Sequence, residues 1–403
     1  RLQRVVQFQG EVIEGIDVQQ LGEALMEDLR SEFDLALESE PISPDQRTQA
    51  LATLDAQLAK INATNLARRT LDEAIASRAS GVIASRYTND PLVEADLRES
   101  VADTYRSLGM FGKGAEQLQR ALELRREHLG PMHRKTLRLL TMLGIIDNSR
   151  GNLKEAEEGL RTALAAQRDT LGDEHVDTIR SIRHLGIVLK NLGDIERAEA
   201  LIRESIELAT REFGRESGIT LDAVNELGVL LIESGRWDAA IEPLEETLVG
   251  STKLFGPDDL SVVTARNNIM TCLFKANRLE EAEQMAQEVV ASAIRVRGDR
   301  HPISLAALNN LGMVRMQLAR YEAAKESFRM AHELSQQALS PTNDVWMKSL
   351  SNLVDVQLAL GRVEEAEQDA RRLLEVRRGI ERIRPGAVAQ TLEQLSRALD
   401  RQG

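Results

Sequence analysis

The sequence predicts an all-α protein built as a solenoid of stacked helix pairs, and three observations carry that prediction. The composition of the 403 residues favours helix over sheet. Only 7 Phe, 3 Tyr, 2 Trp and 9 Pro occur, whereas a large β-sandwich or barrel needs many aromatic and β-branched residues and many turns. A 42-residue period runs without insertion or deletion through seven frames, residues 95–388. Each frame holds two blocks of apolar residues at helical spacing, separated in five of the seven frames by glycine. One helix pair cannot bury its apolar stripe alone, so successive pairs must stack.

With Ala95 as position 1, new frames open at Leu137, Ile179, Leu221, Val263, Leu305 and Met347. Apolar residues at positions 4, 7, 8 and 11 form one stripe of a first helix, and those at 17, 20, 24 and 27 one stripe of a second. Position 7 reads Val101, Leu143, Leu185, Leu227, Ile269, Leu311, Leu353, and position 20 is Gly114 and then alanine in every frame to Ala366. Glycine falls at position 15 (Gly109, Gly151, Gly193, Gly235, Gly361), where a helix end needs left-handed geometry, and again at position 36 (Gly130, Gly172, Gly214, Gly256, Gly298). Small residues at 8 and 20 let two antiparallel helices approach closely. Asn277 and Ala319 replace glycine at two turns, and Met270 and Val354 replace the small residue at position 8, so local packing is expected to differ there. Ala389 to Leu399 reads as a closing helix with the stripe Leu392, Leu395, Leu399.

The Leu-Gly pairs at 143–144, 185–186, 227–228 and 311–312, the position-20 alanines and the link Gly298-Asp-Arg-His301-Pro302 resemble the tetratricopeptide repeat (TPR) family, in its 42-residue kinesin light chain form. The resemblance covers about three quarters of the chain and implies a right-handed α-solenoid that binds proteins or peptides in a concave groove.

Residues 1–94 follow another pattern. Asp17-Val-Gln-Gln20 and Ser43-Pro44-Asp-Gln46 look like capping boxes, so helices are expected at roughly 17–39 and 44–60. Val18, Leu21, Leu25, Leu29 and Phe33 form the stripe of the first. Residues 11–40 carry ten acidic side chains against the single Arg30, and the stretch from Asn62 to Val93 looks like a degenerate repeat. Val5-Val6-Gln-Phe8-Gln, Gly15-Ile-Asp17, Asn65-Leu-Ala67, Leu71-Asp72 and Asp90-Pro91-Leu-Val93 resemble the segment joining the kinase half to the repeat half of certain bacterial serine/threonine protein kinases. The expected organisation is therefore an acidic helical segment (1–94), seven repeats (95–388) and a capping helix (389–403). Since the chain opens on Arg1, it is expected to be part of something longer.

Several functions are excluded or lack support. The lone Cys272 cannot form an intrachain disulfide or a cysteine-rich zinc site. No apolar run approaches the roughly 18 residues that span a bilayer, so no membrane insertion of this chain is expected. A net charge of −13 disfavours nonspecific nucleic-acid binding. Kinase motifs are absent. Gly130-Pro-Met-His-Arg-Lys135-Thr136 mimics a phosphate loop but has Arg134 where glycine is needed, and it follows a helix. His133, His175 and His301 share one link position, but equivalent positions lie about a repeat apart and cannot share a metal. They read as helix-start residues, and Cys272 as a packed thiol. No metal, cofactor or catalytic residue is expected.

The informative face is the other stripe of the first helices, positions 2, 5, 6, 9, 12 and 13. Asn225, Asn267 and Asn309 repeat at position 5, and Asn268, Asn310 and Asn352 at position 6. Such amides suit the backbone of an extended peptide; the alternative is that they are solvated or bond the neighbouring helix. Arg138, Arg180, Arg183, His184 and Lys190 make the same face basic in frames 2 and 3. It either selects acidic or phosphorylated peptides or is ion-paired with adjacent helices. The expected function is noncatalytic peptide binding by the sensor or docking part of a larger signalling protein, a membrane-anchored kinase being one type. The alternatives are an adaptor or regulatory subunit completing a partner enzyme, and a small-molecule sensor. A homodimer through the N-terminal helices is a further expectation. The location follows the context: cytoplasmic for a stand-alone chain, membrane-tethered or extracytoplasmic for part of a transmembrane kinase.

Overall fold

The computed structural model describes residues 18–38, 40, 42–58, 61, 63–73, 77–87, 89–338, 341, 343–379 and 385–400. Among these residues there are 19 helices and no strand, so the chain is all-α. It folds as two compact units, Arg1–Leu230 and Leu231–Gly403. Four helices precede the regular pairs: α1 (Val18–Glu38), α2 (Pro44–Leu58), α3 (Ala63–Leu71) and α4 (Ser77–Arg86). The first unit continues with α5 (Pro91–Ser107), α6 (Phe111–Leu129), α7 (Arg134–Arg150), α8 (Leu153–Leu171), α9 (Val176–Asn191) and α10 (Ile195–Phe213). The division falls inside α11 (Gly218–Glu233). The second unit holds α12 (Trp237–Phe255), α13 (Leu260–Lys275), α14 (Leu279–Arg297), α15 (Pro302–Gln317), α16 (Tyr321–Ala338), α17 (Asp344–Ala359), α18 (Val363–Arg378) and α19 (Pro385–Asp400).

The links between frames share one capping position. Position 39 caps the next first helix whatever its chemistry. The Nδ1 atoms of His133, His175 and His301 accept from the amides of Lys135, Asp177 and Ile303 at 3.2, 3.1 and 3.2 Å. Asp259 and Asn343 carboxyl or amide oxygens do the same at 2.8 Å, and Ser217 accepts from Thr220 at 3.3 Å. Each supplies an acceptor that an open helix start lacks. At position 42 the buried hydroxyls of Thr136, Thr178, Thr220 and Ser304 donate to the carbonyls of Gly130, Gly172, Gly214 and Gly298 at 2.6–2.9 Å. Those glycines have φ of 84–91° and ψ of 158–165°, a region that side chains do not tolerate. At position 15, Asn277 (φ 60°) and Ala319 (φ 54°) adopt the left-handed conformation of the glycines they replace.

Helix pairs are keyed by a small residue facing a large one. A Cβ on Gly144, Gly186 or Gly312 would stand 2.6, 2.9 or 2.5 Å from the side chain of Leu160, Ile202 or Phe328, the position-24 residue of the same frame. The expected departure at Met270 and Val354 has a compensation. In those frames position 24 is Ala286 or Ala370, and all four residues are buried. The large residue has changed sides, so volume is conserved.

In the first unit the degenerate region is tied to frame 1 by buried Asp72. It accepts from Tyr105 at 3.0 Å and Ser77 at 2.9 Å, and pairs with Lys113. Burial alone would raise its carboxyl, but the Lys113, Ser77 and Tyr105 hydrogen bonds hold it below the usual carboxylate range. Ser43 and Gln46 form a reciprocal capping box at 2.9 and 3.3 Å. Asp17, and the segments at 5–9 and 15–17, lie outside the described residues. Gly22 of α1 rests on the Ala63 backbone of α3, yet Leu29 and Phe33 of the α1 stripe stay 49% and 36% exposed.

The second unit closes on α19, which begins at Pro385 rather than Ala389. Its expected stripe is corrected: Leu392 and Leu399 are exposed, while Thr391, Gln394 and Ala398 are buried. Positions 4 and 11 normally face a second helix of their own pair, and among the described residues α19 has none after it. It packs instead on the preceding pair, with Ala398 and Leu395 in the Val354–Leu358–Ala366–Ala370 cluster.

Candidate functional site

A cavity of about 420 Å³ opens in the first unit between α5, α7 and α9, with one residue each from α6 and α8. Its size falls in the lower part of the range of ligand cavities. Arg138, Arg180, Arg183 and His184 border it, joined by Asp103, Arg106 and Asp177. Leu118, Met142, Ile145 and Ile146 supply an apolar wall, and Gln167 of α8 completes it. Helical periodicity explains the grouping, because Arg138 and Arg180 hold position 2 and Arg183 and His184 positions 5 and 6 of successive first helices.

Most of the basic side chains are paired. Arg138 meets Glu99 at 3.3 Å, Arg183 meets Asp222 at 3.0 Å and Arg106 meets Asp103 at 3.4 Å. At the edge, Arg134 holds Asp177 at 2.7 Å and Lys135 holds Asp96 at 3.0 Å. Frame 1 acids are likewise occupied: Arg125, 2% exposed, meets Asp96 and Glu99 at 2.6 Å each. Arg180 has no carboxylate within ion-pair distance among the described residues, and it is exposed. Lys190 is buried and does not border the cavity. His184 is pushed down to about 3, by burial first and then by Arg183, Arg180 and Arg106, so its ring is neutral at physiological pH. Burial raises the Asp103 carboxyl.

Gln167, with no exposed surface, lies at position 31 of a second helix, which the periodic reading assigned to no face. Its Nε2 donates to Thr141 at 3.1 Å, Thr141 pairs with Ser181 at 2.7 Å, and its Oε1 has no partner. Polar residues at the same position, Arg125, Ser251, Ser335 and Arg377, were the available signal.

Asn225 lies on α11, half-buried. In the second unit the asparagines of successive first helices bond one another. Asn310 Nδ2 donates to Asn267 Oδ1 at 3.2 Å, and Asn352 Nδ2 to Asn309 Oδ1 at 2.9 Å. Each bond joins position 6 of one frame to position 5 of the frame before. It leaves the Asn267 and Asn309 amide nitrogens and the Asn310 and Asn352 oxygens without a partner among the described residues, while Asn268 is half-buried on α13.

No curated protein matches this sequence. Among solved structures, the apo form of RapI is similar over 82% of this chain and 91% of its own, at 13% identity and a TM-score of 0.52. BtubC (BKLC) from P. vanneervenii is similar over 56% of this chain and 91% of its own, at 22% identity and a TM-score of 0.47. A TPR protein from Parabacteroides merdae covers 76% of this chain with 98% of its own, at 15% identity and a TM-score of 0.45. The tetratricopeptide repeat family matches in overlapping windows at 94–169, 143–211, 177–253, 219–295, 261–337 and 303–379. These windows run through the same 42-residue frames whose turns, caps and keyed helix pairs the structure displays, and the chain belongs to the tetratricopeptide repeat family.

Proposed function

We propose that this chain is a noncatalytic scaffold that holds a protein or extended peptide against the position 5 and 6 side chains of its first helices. The reading rests on one observation. Asparagines of adjacent repeats bond each other through one polar end and leave the other end open, which fixes their orientation and presents both donors and acceptors to a backbone. The basic cavity of the first unit takes an acidic or phosphorylated residue of the partner. Arg138, Arg180, Arg183 and His184 form that subsite, and Asn225, Asn267, Asn268, Asn309, Asn310 and Asn352 the backbone-holding row. A small-molecule sensor is a second reading, favoured by the cavity itself.

In this proposal residues 1–94, 95–388 and 389–403 are an acidic helical segment, the repeat array and a cap. The whole is the docking or sensor part of a larger bacterial signalling protein of the serine/threonine kinase type, supported by the resemblance of the opening segment. The exposed Leu29 and Phe33 support pairing of two copies through the N-terminal helices. The test is selection of binders from a random peptide library, followed by titration of the Asn267→Ala/Asn310→Ala variant. Binding should weaken for every selected peptide alike, by about 0.5–1.5 kcal/mol for each hydrogen bond lost. Unchanged affinity would remove the asparagine row from the site.

A further inference from the structure

The N-terminal helix α1 carries an apolar face that its own chain covers only in part. Gly22, near its start, rests on the Ala63 backbone of α3. At 1.5 Å per residue the 9 residues of α3 reach about 14 Å, against about 32 Å for the 21 residues of α1. Helix α2 is tied to Arg30, Asp34 and Glu38 through Asp55 and Arg47, and these three lie across α1 from the stripe. The C-terminal part of the stripe therefore stays open, with Leu29 49% and Phe33 36% exposed. Asp28 and Glu32 share that face by the helical period, and both are exposed and without a partner among the described residues.

The cavity between α5, α7 and α9 has the complementary character. Arg134 and Arg183 meet one carboxylate each, and Arg106 meets Asp103. Asp96 is shared by Arg125 and Lys135, and Glu99 by Arg125 and Arg138. Arg180 is exposed and has no carboxylate within ion-pair distance among the described residues. The cavity and its rim therefore keep a net positive charge, beside the half-buried apolar side chains of Met142 and Ile145. No residue of α1 lines the cavity of its own chain. Two copies of α1 set face to face would bring their Asp28 and Glu32 side chains together and repel. The cavity instead offers that face both the opposite charge and an apolar wall.

We propose that the open end of α1 docks in the basic cavity of a second copy of this chain. Leu29 and Phe33 lie against Met142 and Ile145, and Asp28 and Glu32 beside Arg138 and Arg180. Reciprocal contacts related by a two-fold axis link the two chains. Each copy's cavity is then filled until another acidic partner displaces α1. The inference deepens the cavity reading and rests on it, naming the second copy as an occupant.

Sedimentation velocity of the full chain up to about 100 µM, above the micromolar end of the range for protein interfaces, measures self-association. The parent should dimerise, and rising salt should weaken the dimer. Glu32→Arg and Arg180→Glu should each weaken it at least about tenfold, because each sets like charges against one another. The circular dichroism spectrum should not change, since both side chains are exposed and unpaired. An equimolar mixture of the two variants should dimerise to within about threefold of the parent, because every contact then pairs opposite charges again. A parent that stays monomeric, dimerisation indifferent to both reversals, or a mixture no better than its components overturns the proposal. Indifference to both reversals would place α1 against α1, or another face, at the contact. Library peptides that need Arg180 while the parent stays monomeric overturn it and leave the cavity reading intact. Failure of the cavity reading shows separately, as library peptides indifferent to Arg180→Glu.

Discussion

Gly312 and Phe328 show how tightly a helix pair is keyed, and the contact predicts the sign of a substitution. A Cβ on Gly312 would stand 2.5, 2.6 and 2.8 Å from three atoms of the Phe328 ring. That ring is 1% exposed and packed among Ala324, Trp346 and Leu350, so the helices themselves must separate. Overpacking costs about 1–3 kcal/mol, and a rigid enclosed ring places this site in the upper part of that range. Helix propensity returns about 1 kcal/mol when glycine becomes alanine. Gly312→Ala should therefore destabilise by about 1–2 kcal/mol. Gly159→Ala is the control: inside α8, with nothing within 4 Å of the added methyl, it should stabilise by about 0.5–1 kcal/mol. The cycle is completed by Phe328→Ala, which costs about 3–5 kcal/mol alone. Combined with Gly312→Met it reproduces the Met270–Ala286 arrangement and should recover at least about 1 kcal/mol beyond the sum of the single effects. Urea denaturation followed by circular dichroism, with Trp346 fluorescence as the local probe, measures each variant. The same sign for Gly312→Ala and Gly159→Ala, or additivity in the cycle, would refute the keyed contact.

Two further outcomes follow from particular side chains. Ala319→Gly should raise stability by about 0.5–1 kcal/mol in the same denaturation assay, because a left-handed alanine is strained by about 1–2 kcal/mol and glycine returns part of that as chain entropy. A stability loss would mean that the Ala319 methyl packs usefully. His332 is buried beside Trp346 and pushed down to about 4, by burial and then by Arg372. The unfolded chain protonates this ring near pH 6.5 and the folded chain does not, so its contribution is lost as pH falls from 6.5 towards 4, by up to about 3 kcal/mol. His332→Gln should flatten the stability profile in that window relative to the parent. Parallel profiles would show that His332 protonates freely in the fold.

The repeat, its turns and its helix faces were legible because each rests on local chemistry repeated at a fixed period. Glycine at 15 and 36 and alanine at 20 are dictated by backbone geometry and close approach, and the structure places them accordingly. Position 39 was legible as a helix start but not as a cap, because His, Ser, Asp and Asn look unrelated until each is seen offering one acceptor. The exchange of size between positions 8 and 24 was hidden, since it couples residues 16 apart across two helices. Leu392 and Leu399 misled because periodicity shows which residues share a face, not whether a partner helix exists to cover it. At the site, sequence grouped Arg138, Arg180, Arg183 and His184. It left open the ion pairing that engages two of the arginines, which depends on Glu99 and Asp222 of neighbouring repeats. Gln167 was missed because it enters from a second helix.

The central claim, that partners bind on the position 5 and 6 faces of the first helices, is tested most directly by site-specific photo-crosslinking. A photoreactive side chain is placed at Asn267, Asn310 or Arg180, and for comparison at the exposed second-helix residues Glu207 and Glu326, and each protein is irradiated with a library-selected peptide. Crosslinks should form at the three first-helix positions and not at Glu207 or Glu326. Efficient crosslinking from Glu207 or Glu326 with none from Asn267 and Asn310 would contradict the claim.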